Sequence, residues 1–111
     1  MALRLGTGEK AWAFTPPGGG SLGAAPTAIP GVVFEGASNG RLFAVSAANG
    51  AAIWDFNTAQ EFMTMNKVPA HGGAISVSGA VVSGGMVFVT SGYAITSAPS
   101  GGNVLLAFSA E

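Results

Sequence analysis

The sequence predicts an all-β chain assembled from a repeated sheet. Three observations carry that prediction: one segment recurs at a fixed offset, short apolar runs alternate with glycine-containing turns, and charged residues are scarce.

The recurrence comes first, because a period decides the architecture. The stretch from Ala2 to Phe14 aligns without gaps with the stretch from Ala44 to Phe56, an offset of 42 residues. Ala2/Ala44, Gly8/Gly50, Trp12/Trp54 and Phe14/Phe56 are identical, and Thr7/Asn49 are similar in kind. A third, partial copy starts at Gly85: Gly85 to Ser91 matches Gly31 to Ala37, and after an inserted loop Val104 to Phe108 matches Arg41 to Val45. Such a period fits one four-stranded propeller blade per repeat. The expected fold is a partial β-propeller of about two blades of four-stranded antiparallel sheet. Residues 1–18 form the end of one blade, 23–58 a full blade and 72–111 most of the next.

Each copy also reads as strands locally. Val32 to Ala37, Arg41 to Ser46 and Ile53 to Thr58 are rich in Val, Phe, Ile and Trp, and Ser38-Asn39-Gly40 and Ala48-Asn49-Gly50 separate them. Asn-Gly between apolar runs is a strong hairpin signal and predicts type I′ turns. Ala24 to Ala28 and Gly73 to Val82 fit the inner strands, where small residues let backbones converge. The frequent glycines leave little room for helix, and Ala59 to Met65 reads as loop.

Composition bounds the function. Charged residues are 8% of the 111, while apolar residues are 49%; a typical globular domain carries about 25% charge. So little charge on a small chain implies that some faces are covered by neighbouring blades or another subunit. The net charge of −1, with only Arg4, Lys10, Arg41 and Lys67 basic, argues against a nucleic-acid partner. With no cysteine there is no disulfide, thiolate metal site or covalent haem within these residues. Met1-Ala-Leu-Arg-Leu-Gly lacks the apolar core of a signal peptide, and no apolar run is long enough to span a membrane as a helix. Met1 falls just before the first repeated segment, inside a blade, so two strands of that blade are expected upstream, along with any export signal.

Trp12 and Trp54 read as packing residues. A blade cannot bury both faces alone and must stack on its neighbour, and a tryptophan buries roughly 150–250 Å² in doing so. The segment Ala-x-x-x-x-Thr-Gly-Glu-Lys-x-Trp at 2–12 resembles the tryptophan-docking motif of quinoprotein propellers. The family carries Asp at the third position, where this chain has Arg4 and Ser46. Ala2, Gly8 and Trp12, with Ala44, Gly50 and Trp54, are the docking residues on that reading. Three further segments, Gly23 to Phe34, Trp54 to Phe62 and Gly101 to Ser109, are similar to the C-terminal end of polyvinyl-alcohol dehydrogenases.

The resemblance implies a fragment of an eight-bladed parent. That parent would bind pyrroloquinoline quinone with calcium, oxidise a secondary alcohol and pass electrons to cytochrome c in the periplasm or outside the cell. The quinone performs the redox step while the protein binds and orients. The family's catalytic Asp and calcium ligands lie in earlier blades, so no catalytic or metal residue maps here and the fragment alone is expected to be inactive. The runner-up from another class is a scaffold propeller of the outer-membrane assembly lipoprotein type, which shares docking repeats but binds no quinone.

Single residues narrow the site. His71 is the only histidine and builds neither a metal site nor a Ser/His/Asp triad alone, but His71-Gly72-Gly73 leads into an inner strand near the axis, where propellers bind ligands. The resemblance implies that Gly92-Tyr93 approaches the quinone. These five residues are the candidate cofactor contacts. Asp55 reads as an edge charge, Glu35 lacks the second carboxylate of an acid–base pair, and Gly18-Gly19-Gly20 is a turn without the Lys-Ser/Thr of a phosphate loop.

Overall fold

Apolar runs punctuated by glycine turns fold into eleven strands in the computed structural model, which describes residues 1–76, 78–93 and 102–109. They are β1 (Ala2–Leu3), β2 (Lys10–Trp12), β3 (Thr27–Ile29), β4 (Val32–Gly36), β5 (Arg41–Ser46), β6 (Ala52–Asn57), β7 (Glu61–Met63), β8 (Pro69–His71), β9 (Val81–Ser83), β10 (Met86–Ser91) and β11 (Val104–Ser109). The chain is all-β, with no helix among the described residues. Its sheets are β1-β2, β3-β4-β5-β6, β7-β8 and β9-β10-β11, all antiparallel and none closed, an arrangement consistent with a partial propeller.

The 42-residue repeat is reproduced in register and in hydrogen bonding. Ala2 pairs with Trp12 and Ala44 with Trp54, each followed by a register shift at the next residue. The Gly8 N–H donates to the Arg4 carbonyl at 2.8 Å, and the Gly50 N–H to the Ser46 carbonyl at 2.8 Å. Thr7 Oγ1 and Asn49 Oδ1 accept from the N–H two residues on. Both glycines have φ +74°, a conformation costly for any residue with a Cβ. At Ser46 the hydroxyl accepts from the Ala48 N–H, so serine fills the short-range acceptor role at that turn.

The turns correct one expectation. A type I′ turn needs positive φ at both central residues, and Asn39 and Asn49 do not have it; only Gly40 and Gly50 do. The Gly40 N–H bonds to the Ala37 carbonyl, so these are turns closed by a left-handed glycine, with Asn accepting locally through its side chain. Ala59 to Met65 is likewise not all loop. Glu61–Met63 pairs with Pro69–His71 in a hairpin turned at Lys67, at φ +63°. The inner strands are shorter than expected: β3 covers only Thr27–Ile29, and the run expected from Gly73 to Val82 is strand only from Val81. Val77 lies outside the described residues.

Strand alternation sorts the core into two inter-sheet layers. On one face of the four-stranded sheet, Phe43 and Val45 are buried with Val33 against Trp12, Phe14 and Leu22. On the other, Leu42 packs with Ala24, Ile75 and Val89, and Phe34 and Ala44 pack with Ala80, Val82 and Val87. At about 25 cal/mol per Å², burial of each such aromatic or aliphatic side chain contributes roughly 1.5–3 kcal/mol. The sheets hold one another up.

Glu35 is the exception on the first face. It is half-buried beside Val33, and burial raises its carboxyl above the usual 4.5 while the Met1 ammonium pulls the other way. The folded chain therefore holds this proton more tightly than the unfolded chain does. Stability is greatest below the ordinary carboxylate range and falls as pH rises from there through the raised folded value. Urea midpoints measured across this acidic range are expected to show that decline, with Glu35→Val removing its Glu35 component.

Candidate functional site

The sheets have two chemically different ends. The β1–β2 and β5–β6 turns lie at one end. The β4–β5 turn, the β6–β7 link and the β10–β11 loop lie at the other, because antiparallel strands alternate direction.

At the turn end the chain locks. Trp12 Nε1 donates to the Ala47 carbonyl at 2.8 Å, and its ring lies so close to Gly50 that a Cβ there would sit 2.4 Å from Trp12 Cε3. A tryptophan of one repeat thus enters a socket on the next. Trp54, its equivalent, stays 39% exposed and meets Phe108 edge-on at 5.2 Å between centroids. Ala2 and Ala44 sit opposite the two tryptophans, and Gly8 and Gly50 close the turns. Asp55 pairs with Arg41 at the sheet surface, both side chains being part exposed.

At the other end a buried polar knot joins three strands. Thr58 and Ser91, both fully buried, are hydroxyl to hydroxyl at 2.7 Å. Thr58 Oγ1 donates to the Gly40 carbonyl, while Ser91 Oγ accepts from the Gly73 N–H and faces the Gly73 carbonyl at 3.0 Å. Around the knot the backbone is packed without side chains: a Cβ on Gly72 would lie 1.7 Å from the Thr58 carbonyl oxygen, and one on Gly92 would lie 2.2 Å from Gly102 Cα. Neither hydroxyl has local sequence context to mark it; residues 33 apart make the bond. Ser91→Ala is expected to strand the buried Gly73 N–H and destabilise the chain by about 1–3 kcal/mol, read from urea denaturation.

Against this knot the five candidate cofactor contacts divide. Gly72, Gly73 and Gly92 are buried behind the surface, whereas His71 and Tyr93 are exposed. His71 ends β8 opposite Glu61. Its backbone is clamped by a residue the sequence did not single out: Asn103 Oδ1 accepts from the His71 N–H, and the Asn103 N–H donates to the His71 carbonyl at 2.8 Å. An open cavity of about 570 Å³ lies between His71, Asn103, Glu61, Met63 and Pro69. A second, of about 230 Å³, lies between His71, Asn39 and Ala59. His71 borders both. Residues 94–101 of the loop that follows Tyr93 lie outside the described residues. Among the described residues, no three His, Cys, Asp or Glu side chains come together to hold a metal.

Tandem antiparallel sheets, locked by a tryptophan at one end and presenting loops at the other, define a β-repeat protein whose candidate surface is the loop end. No protein-family model matches the chain. Two curated proteins do: a polyvinylalcohol dehydrogenase of Pseudomonas sp is 38% identical over 128 aligned positions, and one of Sphingopyxis sp. (strain 113P3) is 35% identical over 130. Each alignment takes in 99% of this chain and 20% of the relative. The resemblance read from the docking motif and three segments is borne out: this chain matches one fifth of the length of polyvinylalcohol dehydrogenases.

Proposed function

We propose that the chain is a segment of a quinone-dependent alcohol dehydrogenase. Its three groups of strands would be the end of one propeller blade, a full blade and most of a third, in a parent acting on secondary alcohols of the polyvinyl-alcohol type. The observation that carries this reading is the identity to two proteins of that name along 99% of the chain. The remaining blades are its partners, with cytochrome c as electron acceptor and a periplasmic or secreted location.

The loop end suits the edge of a quinone site. His71 and Asn103 offer polar hydrogen-bonding groups there, and Tyr93 adds a flat ring and a hydroxyl. Pyrroloquinoline quinone carries three carboxylates and would accept hydride from the alcohol carbon, so it needs cations that these three side chains do not supply. The parent's other blades would supply them, together with the calcium ligands. What this chain contributes is position: the Thr58–Ser91 knot and the Asn103 clamp fix the backbone from which His71 projects.

The experiment is dye reduction by the full-length parent with a secondary alcohol, with and without added quinone, beside the isolated chain. Quinone-dependent turnover by the parent and none by the chain is the expected outcome; turnover without quinone in the parent, or any by the chain alone, overturns the reading.

A further inference from the structure

The repeat places a carboxylate where its own pattern places a hydrocarbon. Gly85 to Ser91 aligns with Gly31 to Ala37, so Val89 on β10 is the counterpart of Glu35 on β4. Val89 is 1% exposed and packs against Ala24, Leu42 and Ile75. Glu35 faces the opposite neighbour, towards β1 and β2, and lines an apolar cavity of about 250 Å³ with Trp12, Phe14, Leu22, Val33 and Val45. The counterparts of Ala24 and Leu42 that would close that cavity fall 42 residues earlier, at positions preceding Met1. Beside the cavity, β1 is paired on one edge only, to β2, whereas its counterpart β5 is paired on both.

We infer that this cavity and the free edge of β1 seat a strand pair of the same repeat, carried by the parent polypeptide. That segment would place a hydrogen-bond-donating cation, Lys or Arg, at the counterpart of Leu42, directly against Glu35. Continuity with the interface on the other side of the sheet supports the seat: there the same positions are already filled by Leu42 and Ala24 against Val89. Charge supports the donor. The surroundings of Glu35 are apolar, and burial raises its carboxyl, so an ionised Glu35 in a closed interface needs a partner. The one charged group facing it is the Met1 ammonium, which already favours the ionised form. By the repeat, Met1 is the counterpart of Phe43, so its amine stands next to the Leu42 counterpart.

The 42-residue period makes the seat testable without knowledge of the parent. A copy of residues 23–42 joined directly to Met1 continues the repeat without a gap and replaces the ammonium by a peptide bond. Two versions are compared, one with the copied Leu42 retained and one with the copied Leu42→Lys. Both should gain amide-exchange protection along β1. At neutral pH the lysine version should have a folding constant about tenfold larger than the leucine version, as a bond to a charged group provides. That advantage should disappear in acid, where Glu35 is protonated, and in a Glu35→Val background. No gain of protection on β1, an extended chain less stable than the original, or a leucine version at least as stable at neutral pH would each overturn the inference. None of these measurements involves quinone or turnover, so the outcome leaves the enzymatic reading to its own test.

Discussion

Gly72→Ala is expected to unfold the chain. The new methyl carbon would lie 1.7 Å from the Thr58 carbonyl oxygen and 2.8 Å from Ser91 Oγ, where the first contact is backbone and cannot rotate away. Relief requires the segment after β8 to move off the β6–β7 link, which breaks the Gly72 N–H bond to the Gln60 carbonyl at 2.9 Å and pulls Gly73 from Ser91. Losing that bond, stranding buried polar groups and straining the backbone each cost about 1–3 kcal/mol. Together they approach the roughly 5–15 kcal/mol that holds a small domain folded. The measurement is circular dichroism with thermal melting: the variant should show no cooperative transition, whereas an exposed control, Gly84→Ala, should melt with only a modest shift. Gly84 also has positive φ, but a Cβ there meets nothing within 4 Å, so the comparison separates close approach from backbone strain.

Trp12→Ala carries the second large effect, about 3–5 kcal/mol for removing a large aromatic side chain from a packed contact. The indole is only partly buried, which sets the lower part of that range, but it also donates to the Ala47 carbonyl and covers the Gly50 face. The loss should be local before it is global. Hydrogen exchange should rise first at β1 and β2, whose two-stranded sheet has little else to hold it, and only later along β4 and β5. Trp12→Phe keeps the ring and loses the hydrogen bond, and should recover most of the stability. Equal losses in the two variants would mean that the hydrogen bond, not the ring, does the holding. Trp54→Ala, by contrast, should cost less, because its indole stands exposed without a socket.

Much of this was readable in the chain because its signals are local and repeated. Trp12 and Trp54 stand 42 residues apart, and the hydrogen bonds of their turns coincide atom for atom. Asn39-Gly40 and Asn49-Gly50 announced hairpins correctly, though not the turn type: Asn-Gly marks where a left-handed glycine falls, and the loop length decides how many residues share that conformation. The β7–β8 hairpin was missed because its turn uses Lys67 at positive φ, which no turn composition announces, and its strands are three residues each. The Thr58–Ser91 knot was invisible for another reason. A buried hydroxyl pair has no periodicity, and each partner is an ordinary residue in its own segment. Of the site, His71 and Tyr93 could be picked out as the chain's only imidazole and only phenol. Asn103 could not, since its role depends on a backbone contact across 32 residues.

The indole-in-socket contact between Trp12 and Gly50 also determines where this polypeptide can be divided. The knob belongs to one sheet and the socket to the next, so the boundary drawn by strand pairing is out of phase with the boundary drawn by side-chain interlock. A truncation at Gly23, the seam between the first two sheets, would remove β1 and β2 and bare Phe43, Val45 and Gly50 to water. Adding sheets in whole numbers therefore always leaves one knob and one socket unmatched, unless the series is bent round until its last tryptophan reaches its first turn. Closure into a ring is the one way such a series hides every joint.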